Sequence, residues 1–365
     1  MQKTILLSLG LLISITSFAQ KDTDATQVRA AIWNYINGRN NGDVEQLKKA
    51  FHPDADLRHV RGDSLRIWPS AEYIAGVKPG KKQNCVARLV YLDIEGNAGQ
   101  AKVEIEYPNW KFADYLNLLK IDGQWKVAVK SFAGYSIKKE RVLFVITSHE
   151  KMGDTGRKTG LHLGEVSHVY QPIVEAGYEV DFVSPKGGQT YMYGDNMNDP
   201  ISLRMIQNPS AYYKLTHAMT PDQVRVDNYA AIYFVGGHGT MWDLPEHSQL
   251  TDITKNIYEK DGIVAAVCHG PSGIVNVQLS NGKYLVEGKK VTAFTNQEEA
   301  AAGQTNNVPF LLESTLKERG ALFQAAENWQ NNVVVDGRLV TGQNPASAGD
   351  LAQEIIQLLA QRKEQ

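Results

Sequence analysis

Two cysteines occur in the 365 residues, Cys85 and Cys268, and the second sits where a thiol could do chemistry. It lies in Ala266-Val267-Cys268-His269-Gly270-Pro271, directly behind an apolar run from Gly262 to Val267. The spacing predicts a strand that turns sharply at Cys268 and enters a helix. Ala266 and Gly270, small on either side, suit a strained nucleophile elbow. Such a corner exposes the sulfur, and a helix N-terminus behind it would favour thiolate over thiol. The bland alternative is an inert buried cysteine; the strand–Cys–His–Gly–helix context favours the nucleophile.

Gly236-Gly237-His238-Gly239 follows a second apolar run, Ala230 to Val235. Glycines at a strand end let the backbone approach a ligand and aim N–H groups at developing negative charge. Together with Gly270, they form a candidate oxyanion and substrate-binding set, against the alternative of an ordinary tight turn. Gly160-Leu161-His162-Leu163-Gly164-Glu165 opens a predicted helix. Glu165 could reach the strand ends, although a glutamate in a first turn is also a routine dipole partner.

These residues need a scaffold that brings strand ends together. From Arg141 onward, apolar strands alternate with helices. Val142–Thr147, Tyr178–Ser184, Ala230–Val235, Gly262–Val267, Lys290–Thr295 and Val333–Thr341 read as strands. The segment from Gly160 to Ala176 carries Leu161, Val166, Val169, Tyr170 and Ile173 on one face, and Ala346 to Gln361 closes the chain as a helix. The pattern predicts an α/β, doubly wound, mostly parallel sheet, whose chemistry gathers at the carboxyl ends of strands.

Before residue 138 the order differs. A helix over 26–38 and a short one capped by Asp43 precede alternating strands at Val86–Ile94, Ala101–Tyr107, Tyr115–Ile121 and Trp125–Phe132, the last two joined at Asp122-Gly123. Helices followed by a curved antiparallel sheet predict an α+β cone over 23–137, with the α/β domain over 141–362 and a hinge at Ile137-Lys138-Lys139-Glu140. His52, Asp54, His59, Trp68 and Tyr73 are the cone's candidate pocket residues; the bland reading has them packing its mouth or facing solvent.

Other features bound the function. Lys3 and the apolar run Ile5–Ile15, ending at Ser17-Phe18-Ala19, read as a signal peptide over 1–19 and imply export to a bacterial periplasm. The net charge of −2 argues against nucleic acid as a partner. No later run is of membrane length, and no Cys-x-x-Cys or His-rich cluster marks a metal site. Cys85 and Cys268 fall in different predicted domains and are not expected to pair.

Lys158-Thr159-Gly160 with Glu165, Ala176-Gly177-Tyr178-Glu179-Val180, Ser184-Pro185-Lys186-Gly187-Gly188, Asp199-Pro200, Gly236–Gly239, Cys268–Pro271, Phe294-Thr295-Asn296 with Glu298-Glu299, and Thr341–Ser347 resemble, in order, the ThiJ/PfpI superfamily. The similarity is greatest to its glyoxalase III-like, heat-shock chaperone branch, with a flavodoxin-like, class I amidotransferase-like fold. The region before the hinge resembles the SnoaL-like, nuclear-transport-factor-like superfamily, especially its lumazine-binding-like members. Glutamine amidotransferases carry a late His-x-Glu, and the small deglycase branch takes its histidine from downstream of the cysteine; here His269 is the last histidine. The resemblance therefore implies a triad of Cys268, His269 and an acid, aligned best with Glu299 and with Glu298 left open, and a proton-shuttling Glu165. It implies a glyoxalase III-like hydro-lyase (the D-lactate dehydratase type) that turns a small 2-oxoaldehyde such as methylglyoxal into a 2-hydroxy acid. No metal, glutathione or nucleotide would be needed. The implied partners are a small aldehyde or glycated substrate, no nucleic acid, no membrane after leader removal and, left open, a second copy of the chain. Deglycation, amide or peptide hydrolysis, and a holdase or binding role are the alternatives.

Overall fold

A helix over 24–41, α1, opens the described part of the chain. The computed structural model describes residues 24–137, 140–194 and 198–363; the segment 1–19, expected to be a signal peptide, and Lys138-Lys139 of the expected hinge lie outside them. Val28, Ile32, Tyr35 and Ile36 are buried along one face of α1, as a 3.6-residue period requires. Gly42, at φ +66°, ends the run, and Asp43 caps α2 (Val44–Ala50) by accepting from the Gln46 amide at 3.0 Å.

Six strands follow: β1 (Phe51–Arg61), β2 (Ser64–Pro69), β3 (Val86–Glu95), β4 (Ala98–Glu106), β5 (Trp110–Ile121) and β6 (Gln124–Ser136), with α3 (Ser70–Ala75) after β2. They form one sheet in the order β2-β1-β6-β5-β4-β3, antiparallel except where β1 runs parallel to β6. β3 to β6 correspond to the four alternating segments. The β1–β2 hairpin has no counterpart among them, for a physical reason. Every residue of β2 is exposed, so Ser-Leu-Arg-Ile-Trp-Pro shows no in–out alternation, and β1 shifts register between Phe51 and Asp56. Of the five candidate pocket residues, Asp54 is exposed, His52 is held by the Asp54 amide, and His59 stacks on Phe132. Trp68 and Tyr73 line a cavity.

The second compact unit follows Ile137. Its sheet comprises β7 (Arg141–Val145), β8 (Glu179–Val183), β9 (Tyr229–Phe234), β10 (Ile263–Val267), β11 (Val333–Asp336) and β12 (Leu339–Gly342). The order is β11-β12-β10-β9-β7-β8, parallel throughout except for β11 at the edge. Side chains alternate between two cores. Phe144, Ala231 and Tyr233 meet the helices Leu163–Glu175 and Ala348–Lys363; Leu143, Val145, Ile232 and Phe234 meet Ser248–Glu259. Burial on both faces makes these strands continuous apolar runs, and fully burying one such phenylalanine contributes about 1.5–3 kcal/mol.

Two strand expectations need correction. Lys290–Thr295 is not in this sheet; only Lys290–Val291 is extended, paired with Leu322–Phe323. Val333–Thr341 is not one strand but the β11–β12 hairpin, turning at Gly337 with φ +60°. Asp336-Gly337 is the turn signal that breaks the run. Neither Cys85 nor Cys268 forms a disulfide among the described residues. Among the described residues no helix is long and apolar enough to cross a membrane.

Candidate active site

Cys268 follows the last residue of β10 with φ +58°, a left-handed conformation that costs a non-glycine residue roughly 1–2 kcal/mol. The neighbouring backbone holds it there. Its N–H donates to Gly342 O at the end of β12, and its carbonyl accepts from Phe294 N, both at 2.9 Å. Gly270 has no room for a side chain, since a Cβ would lie 2.2 Å from Phe234 O. The elbow is therefore built by three strand ends meeting.

The expected helix behind the elbow is a single 3-10 turn, Gly270–Gly273. Four residues carry little aligned dipole, so the thiolate expectation fails. Burial first, and then the carboxyl of Glu165, push the Cys268 thiol well above its ordinary value; the His269 N–H pulls weakly the other way. At rest the group is a thiol, and its proton needs an acceptor.

His269 supplies one. Its Nδ1 lies 3.3 Å from Cys268 Sγ, and its Nε2 lies 2.8 Å from Glu299 Oε2. Glu299 is ionised: burial pulls its carboxyl up, but hydrogen bonds from His238 and His269 outweigh this and hold it at about 2. Burial, reinforced by neighbouring His238, pushes His269 down to about 4. A neutral ring that donates from Nε2 to a carboxylate leaves Nδ1 bare toward the sulfur. His269 can thus take the thiol proton while Glu299 stabilises the imidazolium that forms.

Glu299 rather than Glu298 faces His269, and the local helix explains why. Thr295 caps the helix Asn296–Ala301 in a capping box with Glu298, whose Oε2 accepts from Thr295 N at 3.0 Å. Glu298 Oε1 accepts from Asn344 Nδ2 and Trp329 N, each at 2.8 Å. Those bonds fix Glu298 as a brace and leave the next residue to turn toward the elbow.

Glu165 approaches the sulfur from another side. It sits in the first turn of the helix Leu163–Glu175 and is fully buried. Burial raises its pKa to about 8, against weak lowering by Cys268 and the Gly236 N–H. Neither carboxyl oxygen makes a hydrogen bond of normal geometry among the described residues. A Cβ on Gly236 would lie 2.2 Å from Glu165 Oε2 and 2.9 Å from Cys268 Cβ, so glycine there lets the acid and the thiol share one small space. At neutral pH Glu165 is a carboxylic acid beside a thiol.

The glycine turn is only partly available as an oxyanion hole. His238 N–H donates to Tyr193 Oη at 3.0 Å and Gly239 N–H to Gly160 O at 3.3 Å. Gly236 N–H lies near enough to Glu165 to lower its pKa slightly, but not in normal hydrogen-bond geometry. The candidate donors therefore narrow to the amides of Gly236, Gly237 and Gly270. Gly237 has φ +102°, and a Cβ on it would lie 2.4 Å from Gly160 O. Gly237→Ala is expected to destabilise this unit by about 1–3 kcal/mol through strain and overpacking and to lower turnover with it, read by thermal unfolding and initial rates. Wild-type stability in that variant would mean that the turn is not held where it is found.

Two histidines lie in the site without having been singled out for their rings. His238 Nε2 donates to Glu299 Oε1 at 2.9 Å, so one carboxylate serves two imidazoles. His162 Nδ1 lies 3.8 Å from Glu165 Oε1, and burial, with His168 and His238 nearby, holds its ring neutral at about 4. A ligand atom of each of His238, His269 and Glu299 falls within 4.8 Å of the others, so the three could hold a metal ion. The sequence showed no such cluster because the three residues are some thirty positions apart.

Comparison with known proteins adds relatives to this geometry. Residues 158–358 match the DJ-1/PfpI family, and residues 23–133 match a family described as "Putative lumazine-binding". A Saccharomyces cerevisiae protein named glutathione-independent glyoxalase HSP31 is 34% identical over 235 residues, which are 60% of this chain and 98% of the relative. Glyoxalase 3 of Candida albicans is 31% identical over 230 residues, 59% of this chain and 97% of the relative. Among solved structures, the Francisella tularensis Rapid Encystment Protein 24 KDa aligns with a TM-score of 0.59 at 37% identity. It covers 60% of this chain and 99% of that one. Glyoxalase III from Candida albicans aligns with a TM-score of 0.55 at 29% identity, covering 60% and 97%.

Proposed function

Since the chain belongs to the DJ-1/PfpI family, we propose that its second unit is a cysteine-dependent, glutathione-independent glyoxalase that converts a small 2-oxoaldehyde such as methylglyoxal into a 2-hydroxy acid. The observation that carries this reading is the pair of groups flanking one thiol: a neutral His269 backed by ionised Glu299, and a protonated Glu165. The relatives over this unit bear glyoxalase names.

The chemistry balances with those groups and water. His269 Nδ1 takes the thiol proton as the sulfur bonds the aldehyde carbon, and Glu165 gives its proton to the aldehyde oxygen, forming a hemithioacetal. Glu165, now a carboxylate, removes the remaining hydrogen of that carbon as a proton. The freed electron pair forms an enediol while the imidazolium protonates the neighbouring keto oxygen. Glu165 then returns its proton to the former keto carbon, and His269 takes the proton of the hydroxyl on the sulfur-bearing carbon, leaving a thioester. Water adds to the thioester and gives a proton to Glu165. The sulfur leaves and recovers its proton from His269, and the 2-hydroxy acid departs. Every group ends as it began.

This sequence requires protonated Glu165 and neutral His269 in the free enzyme. The expected kcat/KM is flat through the mildly acidic and neutral range. It falls as pH rises through about 8, where Glu165 loses its proton, and as pH falls through about 4, where His269 gains one. The test is lactate formation from methylglyoxal without glutathione across that range. A rate that climbs through pH 8 would make Glu165 a resting base, and no lactate at any pH would end the proposal.

A further inference from the structure

The first unit holds a cation that nothing described there neutralises. Arg39, near the end of α1, lines a cavity of about 430 Å³ together with Trp68, Glu72, Tyr73, Lys78 and Lys81. Among the described residues no carboxylate forms an ion pair with its guanidinium, which lies over the Tyr107 ring at 5.9 Å. Its electrostatic neighbours are Tyr73, Tyr107, Tyr35 and Cys85. The acid deeper in this unit, Asp114, is already committed: Lys130 Nζ lies 2.9 Å from its Oδ1, and the Tyr35 hydroxyl donates to its Oδ2.

Two hydroxyls are in the same position. Tyr73 Oη and Tyr107 Oη are buried and lack a hydrogen bond of normal geometry, although Tyr35 and Cys85 are near enough to perturb them. A buried hydroxyl without a partner costs about 1–3 kcal/mol, and Tyr73, which lines the cavity, keeps one beside the unpaired guanidinium, an arrangement suited to something that accepts hydrogen bonds. The wall of the cavity is also fixed. The loop carrying Lys78 and Lys81 is tied to the end of α1 by Gln83 N to Asn40 O at 2.7 Å and Gly80 N to Gly42 O at 3.0 Å. A Cβ at Gly42 would lie 2.5 Å from Lys78 O, so the loop sits as close as the backbone allows.

We infer that this cavity binds a small carboxylate. Arg39 grips the carboxyl group through two parallel N–H bonds, Tyr73 donates to one of its oxygens, and the Trp68 indole covers an apolar, preferably planar, body. The three cations against the single acid Glu72 at the wall set the sign of the ligand, and the fork of a guanidinium favours carboxylate over a spherical anion. A cavity of this volume lies within the range of small-molecule sites and leaves room for more than a carboxyl group. This inference does not depend on the chemistry at Cys268.

The test is calorimetric titration of the full chain with benzoate and, as the uncharged control of the same shape, benzamide. Benzoate is expected to bind saturably at one site and at least about ten-fold more tightly than benzamide, the difference a charge-assisted pair contributes. Arg39→Met is expected to abolish that preference, and Cys268→Ala to leave it intact. Arg39→Lys keeps the charge but not the fork and should weaken benzoate binding; it decides the matter if Arg39→Met fails to fold. Equal affinity for the two probes, benzoate binding unchanged by either Arg39 variant, or no saturable benzoate heat would overturn the inference.

Discussion

Cys268→Ala is expected to abolish lactate formation from methylglyoxal, lowering kcat/KM by at least about a thousand-fold, as loss of a covalent nucleophile does. The fold should survive, because the change removes one sulfur from a buried corner whose backbone is fixed by Gly342 and Phe294. Cys268→Ser tests the same point more sharply. A serine hydroxyl preserves shape and hydrogen bonding, yet it is a far weaker nucleophile than a thiol whose proton His269 can take. Both variants should therefore be inactive with near wild-type unfolding midpoints. Residual activity in Cys268→Ala above a few per cent would mean that the aldehyde is processed without a sulfur adduct.

Glu165→Gln is expected to separate activity from stability. Turnover should fall by about 10²–10⁴-fold, because an amide can neither accept nor return the migrating proton. Stability should move the other way. A free glutamate near 4.5 is ionised at pH 7, whereas the folded site holds its proton up to about 8. Keeping that proton at pH 7 costs the fold about 3 kcal/mol, at 1.36 kcal/mol for each pH unit between 4.5 and 7. The penalty is absent below about pH 4.5 and grows as pH rises toward 8, because only the unfolded chain releases the proton there. Glutamine carries no such penalty, so Glu165→Gln should unfold at a higher temperature than wild type at pH 7 and at the same temperature near pH 4.5. Destabilisation at pH 7 would show that Glu165 contributes bonds to the fold rather than storing strain for chemistry.

What was legible in the sequence is what is local in the chain. The elbow is six consecutive residues, and the strand before it is an unbroken apolar run, so strand, corner and nucleophile read together. Glu165 was legible as a first-turn acid on an amphipathic helix. Glu299 could have been separated from Glu298 by physics alone, since Thr295-x-x-Glu298 is a capping-box pattern that commits Glu298 to the helix end. The ring of His238 was hidden inside a glycine turn read only for its backbone. His162 lies in the same short motif as Glu165, and nothing local distinguishes its ring from that of a structural histidine. The protonation state of Cys268 was not legible at all. It depends on burial and on a carboxyl 103 positions earlier in the chain, and the helix expected to lower it is one 3-10 turn. In the first unit, four strands were visible through their alternation, while the exposed β2 offered none.

The most direct test of the central claim is carbon-13 NMR of the Glu165→Gln protein mixed with methylglyoxal labelled at the aldehyde carbon. In Glu165→Gln the aldehyde oxygen can still take a proton from water or from the His269 imidazolium as the sulfur adds, but no group remains to remove the carbon-bound hydrogen, so the adduct should accumulate. The expected result is a broad, protein-bound hemithioacetal resonance that is absent from the Cys268→Ala/Glu165→Gln double variant. Spectra that show only free substrate and its hydrate, identical for the two proteins, would contradict a mechanism that begins with sulfur on the aldehyde carbon.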